Sequence, residues 1–114
     1  MRKLTANEKN LIINFASHLK SKDRESLLSD LEVAVVKSEA PAGGGVSFEI
    51  QGYIRPVYRG QHSYGVEGEM LDQDDVKLSV LLFADEYGRL LELEFLRWDG
   101  GLIIGPKWET LKVF

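Results

Sequence analysis

The sequence predicts an α+β fold in which two N-terminal helices pack on one face of an antiparallel sheet of about five strands. Apolar residues recur at helical spacing only in roughly the first 30 positions, and two-residue alternation dominates the rest of the chain. Helices and strands that follow one another in blocks are typical of this fold class. A chain of 114 residues can bury one core, so we expect a single domain over residues 1–114.

The first helix is predicted over about residues 6–20. Thr5 and Glu8 have the spacing of a capping box, in which each side chain accepts a hydrogen bond from the other residue's amide. The apolar stripe of this helix consists of Leu11, Ile12, Phe15 and Leu19. A second, shorter helix is predicted over about residues 24–30, with Asp23 as its N-cap.

A hairpin with a loose connection is predicted over residues 32–52. Its second strand is indicated by Val46, Phe48 and Ile50, which alternate with polar residues. The intervening APAGGG interrupts regular structure, because proline lacks a donor and the glycines are flexible. These glycines do not predict a phosphate-binding loop, since no Lys-Ser/Thr pair follows them and the next element is a strand.

The remaining strands follow an irregular segment at residues 53–65. Strands are expected over about residues 66–71, 76–83 and 91–96, where apolar and polar residues alternate. The middle one of these three carries apolar residues on both faces, which indicates a central strand covered by helices on at least one side.

The turn between the last two of these strands has the sequence DEYGR. Gly88 is predicted to take the left-handed conformation of a three-residue hairpin loop, and Asp85 is assigned to the same turn. A last short strand is predicted at residues 102–104, and Trp108 is expected to pack back on the body of the domain.

The composition excludes several classes of protein. The chain has no cysteine, so disulfides, thiolate nucleophiles and cysteine-ligated zinc are excluded. The basic N-terminus has no apolar stretch behind it, unlike a signal peptide, and the apolar runs are too short to span a bilayer. We therefore expect a cytoplasmic protein with no membrane association.

The acidic charge is concentrated in the C-terminal half. Residues 1–60 contain nine basic and seven acidic residues, whereas residues 61–114 contain five basic and eleven acidic residues. An acidic surface repels nucleic acid and attracts a basic partner. The alternative interpretation is that the excess charge only keeps the protein in solution.

Glu92 and Glu94 lie two residues apart on a predicted strand, so their side chains point the same way, roughly 6–7 Å apart. That separation overlaps the spacing of glycoside hydrolase carboxylates, but the chain is short for a sugar cleft. The alternatives are a solvated sheet face or salt bridges to Lys77 or Arg97 across strands. We expect no catalysis by this pair.

No other motif predicts an enzyme, a metal or a cofactor. The segment DQDD lacks the glycine and the glutamate that a calcium-binding EF-hand loop requires. His18 is expected near a helix end, and His62 lies in the irregular segment without a neighbouring catalytic partner in the sequence.

The irregular segment combines tyrosines with arginines. Tyr53, Tyr58 and Tyr64 accompany Arg55 and Arg59, and both residue types are enriched at protein-binding hot spots. The alternative is that one or two of the tyrosines cap the edge of the core.

Two stretches carry a resemblance to a known group of proteins. The opening MRKLTANEK contains Arg-x-Leu-Thr-x-x-Glu before a helix, and LLFADEYGRLLELEFLRWDG contains Asp-x-x-Gly-Arg-Leu, Glu-Leu-Glu and a closing Asp-Gly. With these features, over roughly a quarter of the chain, the protein resembles small bacterial proteins found among the immunity proteins of contact-dependent growth inhibition and other polymorphic toxin systems.

The resemblance implies a protein that has no reaction of its own and that binds and blocks a cognate toxin domain. Basic enzymes such as nucleases are one class of such toxins, and an inhibitor can present carboxylates where phosphates would lie. The predicted partner-binding residues are Glu67, Glu69, Asp72, Asp74, Asp75, Glu92, Glu94, Tyr58 and Tyr64. The competing hypotheses are a small binding or regulatory domain without a toxin partner, and an enzyme built around His62 and the carboxylates.

Overall fold

The computed structural model describes residues 1–57 and 60–114 and has the predicted α+β architecture, with both helices in contact with a curled antiparallel sheet. The helices are α1 (Ala6–Ala16) and α2 (Ser21–Val33). The strands are β1 (Ala34–Glu39), β2 (Gly45–Ile50), β3 (His62–Leu71), β4 (Lys77–Ala84), β5 (Leu90–Arg97) and β6 (Lys107–Val113).

The strand order is β1-β2-β5-β4-β3-β6, and each neighbouring pair is antiparallel. The predicted interior position of β4 is confirmed, because β5 and β3 flank it. The strand predicted at residues 102–104 is wrong. There the Ile104 amide donates to the Asp72 carboxylate at 2.9 Å, and the last strand, β6, begins only at Lys107. Trp108 packs back on the body as predicted, with its ring edge-on to Phe95 at a centroid distance of 5.8 Å.

Both edges of the sheet come from short segments. On one side Arg2 exchanges two backbone hydrogen bonds with Val36 of β1, at 3.0 and 2.8 Å. On the other side β6 forms the edge and pairs with β3. Arg2 and β6, near the first and the last residues of the sequence, therefore lie at opposite edges of the same sheet.

The start of α1 confirms the predicted capping box. The Glu8 amide donates to the Thr5 hydroxyl at 3.1 Å, and the Thr5 amide donates to the Glu8 carboxylate at 2.8 Å. Arg2 adds two further hydrogen bonds to Glu8, at 2.8 and 2.9 Å. Burial opposes ionisation of Glu8, yet these donors lower its pKa below the ordinary value.

The other helix boundaries differ from the prediction. α1 ends at Ala16 instead of residue 20, and α2 begins at Ser21. The N-cap of α2 is Lys20, whose side chain makes no capping hydrogen bond, so the assignment of Asp23 as N-cap is wrong. Asp23 lies in the first helical turn, where a negative charge is favourable.

The core lies between α1 and the sheet. Leu11, Ile12 and Phe15 of α1 are completely buried. Gly68 in the middle of β3 allows the close approach, since a Cβ at this position would lie 3.1 Å from the Phe15 ring. A glycine that would usually weaken a strand is thus explained by helix packing.

The β4–β5 turn confirms the predicted role of Gly88. Its φ is +76°, and its amide donates to the Asp85 carbonyl at 3.0 Å. A second glycine has a stricter requirement: Gly45 begins β2 with φ +132°, and a Cβ there would overlap the backbone carbonyl oxygen of Leu93 in β5. Gly88 is therefore required by the conformation of the β4–β5 turn, and Gly45 is required by the close contact between β2 and β5.

Candidate functional site

The candidate site is the face of the sheet that points away from the helices, which we call the open face. Residues of β3, β4 and β5 form its centre, because these three strands are adjacent. The register pairs Glu94 with Leu81 and Leu81 with Glu67, so these three side chains lie in one row across the strands. The next row contains Glu92 and Phe83.

This register places an apolar stripe on β4 between carboxylates of the two neighbouring strands. Leu81 and Phe83 of β4 are half-buried and form the stripe. Glu92 and Glu94 of β5 lie on one side of the stripe, and Glu67 of β3 lies on the other side, beside Leu81. Glu69 of β3 lies opposite Ser79, just beyond the stripe. The sequence predicted these four glutamates as partner-binding residues, and the structure brings them together on one surface.

Three of the four carboxylates have no ion-pair partner among residues 1–57 and 60–114. Within the part of the chain that the structure describes, the ion pairs include Lys77 with Glu69 at 3.2 Å but none with Glu67, Glu92 or Glu94. The salt bridges considered from Lys77 or Arg97 to Glu92 and Glu94 are therefore not formed. Partial burial and the nearby charge of Glu94 raise the pKa of Glu92 above its ordinary value.

The raised pKa of Glu92 has a consequence for stability. The folded protein binds this proton more readily than the unfolded chain, so stability decreases as the pH rises through the range just above the ordinary pKa of 4.5. We expect Glu92→Gln to stabilise the protein at pH 7 by up to about 0.5 kcal/mol, since water screens a partly exposed group. Urea unfolding at pH 7 and pH 4 measures this gain.

The expected gain at pH 7 disappears at pH 4, where Glu92 is largely protonated. Glu25→Gln on α2 is the matched control for loss of one negative charge, since Glu25 is exposed on a helix. An equal increase in stability from both substitutions would show that the effect comes from the net charge of the protein and not from the position of Glu92.

One end of the open face is less acidic than the other. The Lys77 ammonium lies 5.0 Å from the centre of the Trp98 ring, and the Trp98 indole N–H donates to the Ser79 hydroxyl at 2.9 Å. Lys112 of β6 pairs in register with Glu69. The negative charge is consequently concentrated at the opposite end, around Glu92 and its neighbours.

The structure removes Asp72 from the predicted contact residues. Its side chain is completely buried, and its two oxygens accept from the amides of Gln73, Ile104 and Gly105 and from Arg97. Burial alone would raise its pKa, but these donors lower the pKa of Asp72 to about 2. A carboxylate that is closed off from solvent holds the chain together and is not available to a partner.

Asp74 and Asp75 lie at the tip of the β3–β4 turn and are exposed, but both have internal partners. Asp74 pairs with Arg97, which also pairs with Asp99 at 2.8 Å. Asp75 has φ +67° and pairs with Lys107 at 2.6 Å. This turn connects the ends of β3 and β4 that are near Glu69, at the opposite end of β4 from the residue that pairs with Glu92.

Of the two tyrosines predicted as partner anchors, Tyr64 and Tyr58, the structure describes only Tyr64. The Tyr64 hydroxyl is buried, with no hydrogen-bond partner among the described residues, and burial raises its pKa. Tyr64 packs against the core, which matches the alternative interpretation of a residue at the core edge. Tyr58 lies outside the described residues.

A polar cluster that the sequence did not predict lies next to Tyr64. Asp85 is buried and accepts from the Tyr53 hydroxyl at 2.7 Å and from Arg55 at 2.9 Å. Burial, with the hydrogen bond to Asp85, raises the pKa of Tyr53 to about 12. Asp85 therefore ties the irregular segment to the β4–β5 turn, in addition to the turn role that the sequence assigned to it.

A second buried carboxylate extends this cluster to the helices. Asp30 of α2 accepts from Arg89 at 2.9 Å and from the Leu90 amide at 3.0 Å. Asp30 lies on the same helical face as buried Leu27, three positions earlier, and this spacing was the one signal available in the sequence.

Both histidines of the chain lie on the surface. His62 is exposed at the start of β3, and His18 is exposed just beyond α1. Among residues 1–57 and 60–114, no group of three or more acidic or histidine side chains is placed to hold a metal ion. Within the same ranges, none of the helices combines the length and the apolar character needed to cross a membrane.

The open face thus combines apolar side chains in its middle with carboxylates on both neighbouring strands. Comparison with known proteins adds a family but no function. No curated protein and no solved structure matches the chain. A family model described as a domain of unknown function, DUF6984, matches residues 1–106. Since this match covers nearly the whole sequence, the chain belongs to the DUF6984 family.

Proposed function

We propose that this protein binds a basic partner protein through its open face. The observation that carries the proposal is the grouping of Glu67, Glu92 and Glu94 around Leu81 and Phe83, without internal cations for those three carboxylates among the described residues. Like charges held close together are unfavourable until a partner supplies cations. The apolar stripe provides the buried centre that a stable contact needs.

In its more specific form, the proposal is that the protein is an immunity protein and that the partner is its cognate toxin domain. Support for this form comes from the resemblance of the two stretches described above. The acidic face would speed encounter with a basic toxin and would occupy the surface that the toxin uses for an anionic substrate. The alternative is a binding or regulatory domain whose partner is not a toxin, and the same open face would serve it.

The test uses the protein encoded next to this one, because an immunity protein is produced together with its toxin. We expect the toxin domain of that neighbour to bind, and binding to weaken as salt increases. The double variant Glu92→Lys with Glu94→Lys is expected to bind at least about tenfold more weakly, since like-charge contacts replace opposite-charge contacts. Isothermal titration calorimetry at two salt concentrations measures both effects.

The matched control is Glu25→Lys with Glu32→Lys, which changes the net charge equally at exposed positions of α2. We expect this variant to keep its affinity within about threefold. Equal weakening by both double variants would show attraction by overall charge and would remove the open face from the proposal. If the neighbouring protein does not bind at all, the immunity form of the proposal fails.

A further inference from the structure

We propose that the segment of the partner that contacts the open face is an amphipathic helix with an apolar stripe and basic residues on both sides of it. This inference rests on the proposed function and specifies its partner. The arrangement of the open face is the reason: the apolar side chains Leu81 and Phe83 lie on one strand, and the carboxylates lie on both adjacent strands.

The spacing fits a helix better than an extended segment. Adjacent strands are about 4.8 Å apart, so Glu94 of β5 and Glu67 of β3, which lie on either side of Leu81, are roughly 10 Å apart. An α-helix with its side chains is about 10–12 Å wide, so a helix lying along β4 reaches the carboxylates on both sides of the stripe at once. An extended segment directs only every second side chain toward the sheet, so fewer of its residues are available to contact both the stripe and the carboxylates.

The open face also predicts where the basic residues lie along that helix. Cations are needed mainly beside Glu67, Glu92 and Glu94, because Lys77 and Lys112 already lie beside Glu69. At the end of the face near Glu69 and Lys77, Trp98 and Leu96 are exposed by 59% and 49% and continue the apolar surface. The helix therefore has its lysines and arginines toward one end and apolar residues toward the other.

The probe for this inference is a synthetic peptide of about 20 residues with leucines on one helical face and lysines on both flanks, mixed with the intact protein. A second peptide has the same composition in scrambled order, so that its leucines do not share a face. We expect the first peptide to gain helicity by circular dichroism on mixing and to bind at least tenfold more tightly than the second. Amide shifts in β3, β4 and β5 are expected by NMR.

Each outcome decides the inference. Selective binding of the amphipathic peptide on the open face, lost in Glu92→Lys with Glu94→Lys, supports it. Equal binding of both peptides, binding without helix formation, or no binding at roughly millimolar peptide overturns it. Hydrogen exchange in the complex with the neighbouring toxin domain separates the two proposals. If a non-helical toxin segment protects the open face, the proposed function stands and only the helix is excluded, whereas protection elsewhere alone contradicts both.

Discussion

Asp72→Ala is expected to lower the free energy of unfolding by about 3 kcal/mol. Asp72 is completely buried, and one carboxylate satisfies three backbone amides and Arg97. Alanine leaves these donors without an acceptor, and two of the amides belong to the segment that leads into β6. Urea unfolding at pH 7 measures the loss.

Asp74→Ala is the control for this experiment, since Asp74 pairs with the same guanidinium but is largely exposed. Its effect is expected to be much smaller, because water and Asp99 remain available to Arg97. Comparable losses from the two substitutions would mean that the guanidinium contact, and not the buried amide contacts, carries the stabilisation.

The same residue predicts an acid dependence. The pKa of Asp72 falls from the ordinary 3.8 to about 2 in the folded protein, so its ionised form stabilises the fold at pH values above about 4. That contribution is lost as the pH falls from about 4 to about 2. The stability difference between the wild-type protein and Asp72→Asn should therefore shrink across this range, and a constant difference would contradict the assignment.

Gly45→Ala is expected to cost at least about 3 kcal/mol, which combines backbone strain at positive φ with steric overlap. The added methyl group would overlap the Leu93 carbonyl oxygen, and neither backbone can move without separating β2 from β5. The hydrogen bond from the Phe95 amide to the Gly44 carbonyl, at 3.0 Å, would be lost in the same movement. Thermal unfolding followed by circular dichroism measures the decrease.

Gly52→Ala separates the two causes. Gly52 also has positive φ, at +84°, but a Cβ there meets nothing within 4 Å. We expect it to cost about 1 kcal/mol from strain alone. If both substitutions cost the same, the close contact between β2 and β5 is not what requires glycine at position 45.

The strands with regular alternation could be predicted because their registers depend on local pattern. Alternation in the sequence predicted that Glu92 and Glu94 lie on the solvent-facing side of the sheet. The structure confirms that they share the open face with Glu67 and Glu69. What alternation cannot reveal is which side chains on different strands become neighbours, because register and strand order depend on long-range packing. The position of Leu81 and Phe83 between Glu67 on one side and Glu92 and Glu94 on the other depends on that order.

For Asp72 and Asp85, the local sequence pattern did not predict burial. Asp72 and Asp85 occupy turns, where exposed carboxylates are common, so local pattern favours the surface. Both are buried, because cations distant in sequence reach them: Arg97 is 25 positions from Asp72, and Arg55 is 30 positions from Asp85. Burial of a charged turn residue depends on such partners, and a single sequence does not identify them.

The residues behind the resemblance have structural tasks in the fold. Arg2, Thr5 and Glu8 form the cap of α1, and Arg89 pairs with Asp30. Gly88 fixes the β4–β5 turn. Part of the two stretches thus serves folding, whereas Glu92 and Glu94 of the second stretch lie on the open face.

The two backbone hydrogen bonds between Arg2 and Val36 help to protect the protein from self-assembly through its sheet edge. An unpaired strand edge attracts the edges of other chains, and proteins protect such edges with short coverings or with charge. Arg2 covers part of the β1 edge, while Lys107, Glu109 and Lys112 place charges along β6. Neither edge is therefore a favourable starting point for fibril growth. The molecule can expose apolar side chains on its open face at a lower risk of aggregation than an unprotected sheet would carry.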